Sequence, residues 1–134
     1  MITIVLLVTP FFFACGQGKK QQPVFACNMN ALSAEERKQL SAEIAPKLKS
    51  SKHVSRELKD GFEIQFLSGR EMLPVVTQWL SMEGRCCPFF NLSMSIKGNG
   101  GPLIVRITGE SGIKAFIAEE LPGIAKLTGA KKGH

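Results

Sequence analysis

The apolar positions of this chain change period several times, and each change marks an element boundary. Leu40, Ile44 and Leu48 recur every four residues, the spacing that gives a helix one apolar face, and Ser33 with Glu36 ahead of them forms a capping-box pattern at its start. Pro46 lacks the backbone donor that a helix interior uses, so the last turns should kink or loosen. The period then falls to two. Val54 and Leu58 alternate with Ser55 and Glu57, Asp60-Gly61 supplies a tight turn, and Phe62, Ile64 and Phe66 alternate with Glu63 and Gln65, which predicts a hairpin with one wet face. Ser68 and Glu71 repeat the capping-box pattern, and Leu73, Val76, Trp79 and Leu80 aim a second helix at the core, with Pro74 tolerable near its start. Pro88 disfavours helical geometry in its predecessor, so that helix should stop near Cys87. A second hairpin follows in Leu92, Met94 and Ile96, a Gly98-Asn99-Gly100-Gly101 turn, and Leu103, Val105 and Ile107; Ile113, Phe116, Ile117 and Leu121 then mark a last helix.

The second half repeats the first. At an offset of 41 residues Ile64 falls on Val105, Phe66 on Ile107, Met72 on Ile113, Val76 on Ile117 and Leu80 on Leu121. The expected fold class is therefore α+β: an N-terminal helix followed by two strand–strand–helix units, giving a four-stranded antiparallel sheet with helices on one face. A cavity or groove is expected where the two halves meet.

Bulk composition narrows the class without deciding the function. A chain of 134 residues with 44% hydrophobic residues and 9 Phe has room for one domain and enough apolar area for a core. The net charge of +6 is spread along the domain, with a small basic tail at Lys126 and Lys131-Lys132. No helix carries a basic stripe with stacking aromatics, so nucleic acid is not an expected partner. Attraction to anionic lipid suits the same charge.

The N-terminus carries its own signal. Ile2 to Phe13 is an almost unbroken apolar run, too short to span a bilayer and of the length of a signal-peptide core. It ends in Phe12-Phe13-Ala14-Cys15-Gly16, which resembles a lipoprotein signal, with Cys15 as the lipidation site and a membrane anchor on the extracytoplasmic, periplasmic side as the consequence. A non-lipidated signal and a misassigned start, which would leave the domain cytoplasmic, are the alternatives. The organisation is then 1–15 signal or lipoprotein-like segment, 16–25 polar tether, 26–123 α+β domain and 124–134 basic tail.

Chemistry concentrates on cysteine. If Cys15 is lipidated, Cys27, Cys86 and Cys87 remain, an odd number that leaves at least one thiol unpaired. Three readings stand open: buried apolar packing; a disulfide from Cys27 to Cys86 or Cys87 that ties the N-terminal segment to the domain; or convergent thiolates suited to soft ions such as Hg, Zn or Cu(I). Glu83 lies three and four residues before the cysteines on the same side of the helix, where a carboxylate serves as a ligand or as a base for thiol protons. Arg85 and His53 would lower a thiol pKa if close. No zinc-finger spacing, Cys-x-x-Cys, Gly-rich phosphate loop or hydrolase motif is present.

The segments Ala26-Cys27-Asn28, Ala31-Leu32, Trp79 and Glu83-Gly84-Arg85-Cys86-Cys87-Pro88-Phe89-Phe90 resemble a family of small bacterial proteins with an N-terminal Cys and an E-x-x-C-C-P/S-F-F motif. The resemblance covers roughly Ala26 to Leu121. Its members are often associated with mercury-responsive regulators, which implies handling of thiophilic metal in heavy-metal resistance, with Cys27, Glu83, Cys86 and Cys87 as the metal site and Pro88, Phe89 and Phe90 shaping the turn. The leading expectation is a thiol-rich protein that binds a soft cation, two sulfurs sufficing for linear mercury. Its rivals are a thiol-dependent enzyme, either organomercurial lyase-like or an oxidoreductase, and a structural lipoprotein without chemistry. No interface pattern indicates an oligomeric state.

Overall fold

The computed structural model describes residues 25–125. The expected signal segment with Cys15, residues 16–24 of the 16–25 tether and residues 126–134 of the 124–134 tail lie outside the described residues. A 3-10 turn at Met29–Ala31 leads into one helix, α1, over residues 34–50. Its start is the expected capping box: Glu36 N–H donates to Ser33 Oγ at 3.1 Å and Ser33 N–H to Glu36 Oε2 at 2.8 Å. Ahead of Pro46 the helix widens into a π-helical turn, Leu40–Ile44. Pro46 has no N–H to offer, and the wider turn absorbs the missing bond without breaking the helix.

Strands β1 (His53–Leu58) and β2 (Gly61–Phe66) form the first hairpin, followed by helix α2 (Gly69–Cys86). Strands β3 (Asn91–Ile96) and β4 (Leu103–Thr108) form the second, followed by α3 (Ile113–Glu120) and a last turn, α4 (Pro122–Ala125). The sheet is four-stranded and antiparallel in the order β1-β2-β4-β3, so the fold is α+β as the repeat implied. Its centre is the β2–β4 ladder, where Phe62 faces Ile107, Ile64 faces Val105 and Phe66 faces Leu103. The offset of 41 residues that superposes the halves maps this ladder onto itself, which is the mark of a pseudo-two-fold axis near the Ile64–Val105 pair. Val76 from α2 and Ile117 from α3, equivalent under that offset, are both fully buried against it. Burying such a side chain contributes about 1.5–3 kcal/mol.

Three local expectations are corrected. The first hairpin turns at Lys59-Asp60, with Gly61 already paired to Leu58. That pairing sets Ser55 opposite Ile64, so Ser55 is buried on the helix side and Val54 is exposed on the other. The turn thus overrides the hydrophobic alternation of an edge strand. Glu63, expected on a wet face, is buried, because Arg56 Nη2 at 3.0 Å, Arg106 Nε at 2.8 Å and Gln65 Nε2 at 3.0 Å close over its carboxylate. These donors hold it charged, Gln65 foremost, with its pKa lowered to about 2. Finally, Ser68 makes no side-chain cap at the start of α2, and its ψ of 63° puts it outside the extended geometry a capping box uses.

Candidate functional site

The end of α2 brings the chemistry together. Pro88 stops the helix as expected, leaving Cys86 as its last residue and Cys87 as the cap, whose N–H still donates to Glu83 O at 2.8 Å. A helix C-terminus leaves carbonyls without partners. One of them, Cys86 O, accepts from Asn28 N–H at 2.8 Å, so the N-terminal arm is drawn across the helix end. That backbone contact sets Cys27 beside Cys87, and the two are joined in a disulfide with Cα atoms 4.6 Å apart across a separation of 60 residues.

An aromatic cluster supports the junction. Phe25 lies 5.0 Å from Phe89 and 5.9 Å from Phe116 between ring centroids, and Phe89 meets Phe116 edge-on at 5.2 Å. Phe89 and Phe90 sit in the turn that Pro88 starts, closed by Phe90 N–H donating to Cys87 O at 3.1 Å. The arm is thus fixed by one covalent bond, one backbone hydrogen bond and a ring cluster.

Glu83 is the titratable neighbour of the bond. The Cys87 sulfur and Glu83 Oε1 are 3.9 Å apart, one helical turn from each other. Burial pushes the Glu83 pKa up, and an indole hydrogen bond from Trp79 opposes the shift only in part. A carboxyl beside sulfur, with its pKa raised by burial, is a group that can exchange a proton with a thiol. It also lines a pocket of about 640 Å³, with walls from Leu40, Leu48, Ile64, Phe66, Trp79 and Leu121. The pocket takes residues from both halves, as the repeat implied, but α1 supplies one full side of it.

The four residues assigned to the metal site are not placed alike. Cys27 and Cys87 are bonded, Glu83 touches the bond, and Cys86 is a buried, unpaired thiol packed in the core. Burial raises the Cys86 pKa first, the Glu83 carboxylate adds to this, and the opposing pull of Arg85 is outweighed. Arg85 is instead committed to Glu36, Nη2 to Oε1 at 2.6 Å, pinning α1 to the end of α2. His53 lies on the pocket wall with its Nδ1 3.0 Å from Ser51 O. Among the described residues, no group of three or more His, Cys, Asp or Glu is arranged to hold a metal ion. No described helix is long and apolar enough to cross a membrane.

Sequence reading missed the roles of Asn28, Phe25 and Glu36. Asn28 follows Cys27 directly and Phe25 precedes it by two residues, so their involvement follows once Cys27 is bonded. Nothing in the sequence pairs Glu36 with Arg85, 49 residues away. No protein-family model, curated protein or solved structure matches the chain.

Proposed function

We propose that Cys27 and Cys87 form a reactive pair that passes between disulfide and dithiol, with Glu83 carrying the proton that each exchange moves. The observation that supports this reading most directly is the part-buried carboxyl 3.9 Å from the sulfur of a cross-link. A purely structural disulfide has no use for such a group, and burying it costs stability. Thiol–disulfide exchange does use it, because the attacking thiol must lose a proton and the departing thiolate must regain one. Cys86 is outside this pair and serves as packing.

The reduced state carries a second reading, soft-cation capture. Reduction frees two sulfurs at one place beside a carboxylate, a donor set that suits Hg or Cu(I) as cargo, and deprotonation of both thiols accompanies binding. The resemblance to proteins associated with mercury-responsive regulators supports it. Lipidation at Cys15 would hold such a site at the periplasmic face of a membrane, where disulfides form and persist.

The test is thiol chemistry on the folded protein. A dithiol reductant should open one disulfide per chain without unfolding it, reversibly, and Cys86→Ser should leave the behaviour unchanged. The reduced protein should then take up one Hg(II) per chain, a capacity absent from Cys27→Ser/Cys87→Ser. A disulfide that opens only as the protein unfolds would make the bond a staple and end the redox reading.

A further inference from the structure

The pocket against Glu83 has no part in the exchange as described so far. We propose that it binds an apolar organic thiol, the substrate that the Cys27–Cys87 disulfide oxidises. This rests on the redox reading above and specifies its substrate class.

Glu83 belongs both to the pocket wall and to the surroundings of the disulfide. A cavity of about 640 Å³ falls in the range of small-molecule sites, roughly 300–1,000 Å³. Its walls are the side chains of leucine, isoleucine, phenylalanine and tryptophan named above, on α1, β2, α2 and the segment after α3. The charged residues among its lining, Lys49, Glu83 and Glu120, are of mixed sign and make no basic cluster for an anionic ligand. An apolar body with one thiol directed at Glu83 matches this distribution, whereas a zwitterionic peptide thiol would leave charges against hydrocarbon.

The chemistry balances without a further reactant. Glu83 takes the proton of the bound thiol R–SH, and the R–S⁻ so formed attacks the sulfur of Cys27, on the half-exposed arm, since Cys87 is fully enclosed. The Cys27–Cys87 bond breaks, an R–S–Cys27 mixed disulfide forms, and Cys87 leaves as a thiolate that takes the proton back from Glu83, 3.9 Å away. A second R–SH displaces Cys27 from the mixed disulfide, and its proton passes to the Cys27 thiolate. The products are R–S–S–R and the reduced pair, two electrons having passed from two thiols to one disulfide.

The experiment compares benzyl mercaptan with glutathione as single-turnover reductants of the oxidised protein, each rate divided by the same thiol's rate on 2-hydroxyethyl disulfide. The normalised rate for benzyl mercaptan should exceed that for glutathione at least tenfold. Toluene, which fills the pocket but cannot react, should suppress the benzyl mercaptan rate and spare the glutathione rate. Leu48→Trp, checked for an unchanged thermal transition, should do the same from the α1 wall. Equal normalised rates with no toluene effect would overturn the pocket assignment and leave the redox reading standing. A bond inert to both thiols in the folded protein would overturn the two together.

Discussion

In the first half of the molecule the helix runs on for 18 residues to Cys86, while in the second its counterpart stops at Glu120 after 8. Seven of the ten extra residues lie at the C-terminal end, and that part of the difference traces to one residue. Pro122 disfavours helical geometry at Leu121, whereas the equivalent position in α2, Ser81, lets the helix continue. Trp79 and Glu120 are equivalent under the offset of 41, as are Glu83 and Ile124, and all four line the pocket. The shared core therefore fixes where the helix ends arrive, and seven extra residues of α2, Leu80 to Cys86, decide that only one of them carries sulfur. A repeated fold has in this way kept one half for packing and turned the end of the other into a disulfide-linked junction.

The junction is also where the halves should differ most in energy. Cross-linking positions 60 residues apart restricts the unfolded chain by about 4 kcal/mol on the loop-entropy account. Cys27→Ser/Cys87→Ser should lose about that much in urea unfolding relative to the oxidised protein, and Cys86→Ser distinctly less. A loss under about 1 kcal/mol would mean that the aromatic cluster and the Asn28–Cys86 hydrogen bond do not hold the arm once the bond is gone, and the bond is then free to open at little cost.

The two hairpin turns offer a smaller contrast. Gly61, beside the Lys59-Asp60 turn, sits so close to β4 that an added Cβ would lie 1.9 Å from Ile107 O and 2.8 Å from Thr108 Cα, both backbone atoms. Backbone in a central ladder cannot step aside, so Gly61→Ala should cost about 2–3 kcal/mol. At Gly98, in the second turn, a Cβ meets nothing within 4 Å, and Gly98→Ala should change stability by no more than about 0.5 kcal/mol. Equal effects at the two sites, measured by thermal unfolding, would remove the close packing of β2 on β4 as the feature that distinguishes the turns.

How much of this was legible beforehand depended on the range of the interaction. The helices, both hairpins and the repeat follow from local periodicity, since Phe62, Ile64 and Phe66 cannot all be buried in any other way than on one face of a strand. The end of α2 was legible for the same reason, through Pro88. The faces of β1 were not, because a turn displaced by one residue outweighs the weak apolar signal of Val54 and Leu58 on an edge strand. Nor was the burial of Glu63, which depends on Arg106, 43 residues away and on another strand. The site was half legible. Cys27, Glu83, Cys86 and Cys87 could be singled out as the residues with chemistry, but not which sulfur would meet Cys27. That choice is made by the capping of Cys86 O by Asn28, a backbone contact with no side-chain signature.

The finest difference between the halves is the charge at Glu83, where the second half has Ile124. Its folded pKa is raised above the ordinary 4.5 by burial, so the folded protein keeps a proton that the unfolded chain gives up. Below pH 4.5 both states are protonated and the group costs nothing. As pH rises the unfolded chain ionises first and folded stability declines, until Glu83 itself ionises in the folded state and the penalty is complete. Glu83→Gln keeps the shape and removes the titration. With the disulfide kept oxidised, the variant should match the wild type near pH 4 and become the more stable of the two towards pH 8. Glu36 supplies an internal control of opposite sign, since its pKa is lowered to about 2, first by the Arg85 hydrogen bond, and its contribution is lost as pH falls below 4.5. A Glu83→Gln difference that is the same at pH 4 and pH 8 would show that the carboxyl bears no burial cost. Glu83 would then be an ordinary helix residue, and the end of α2 would differ from that of α3 in its disulfide alone.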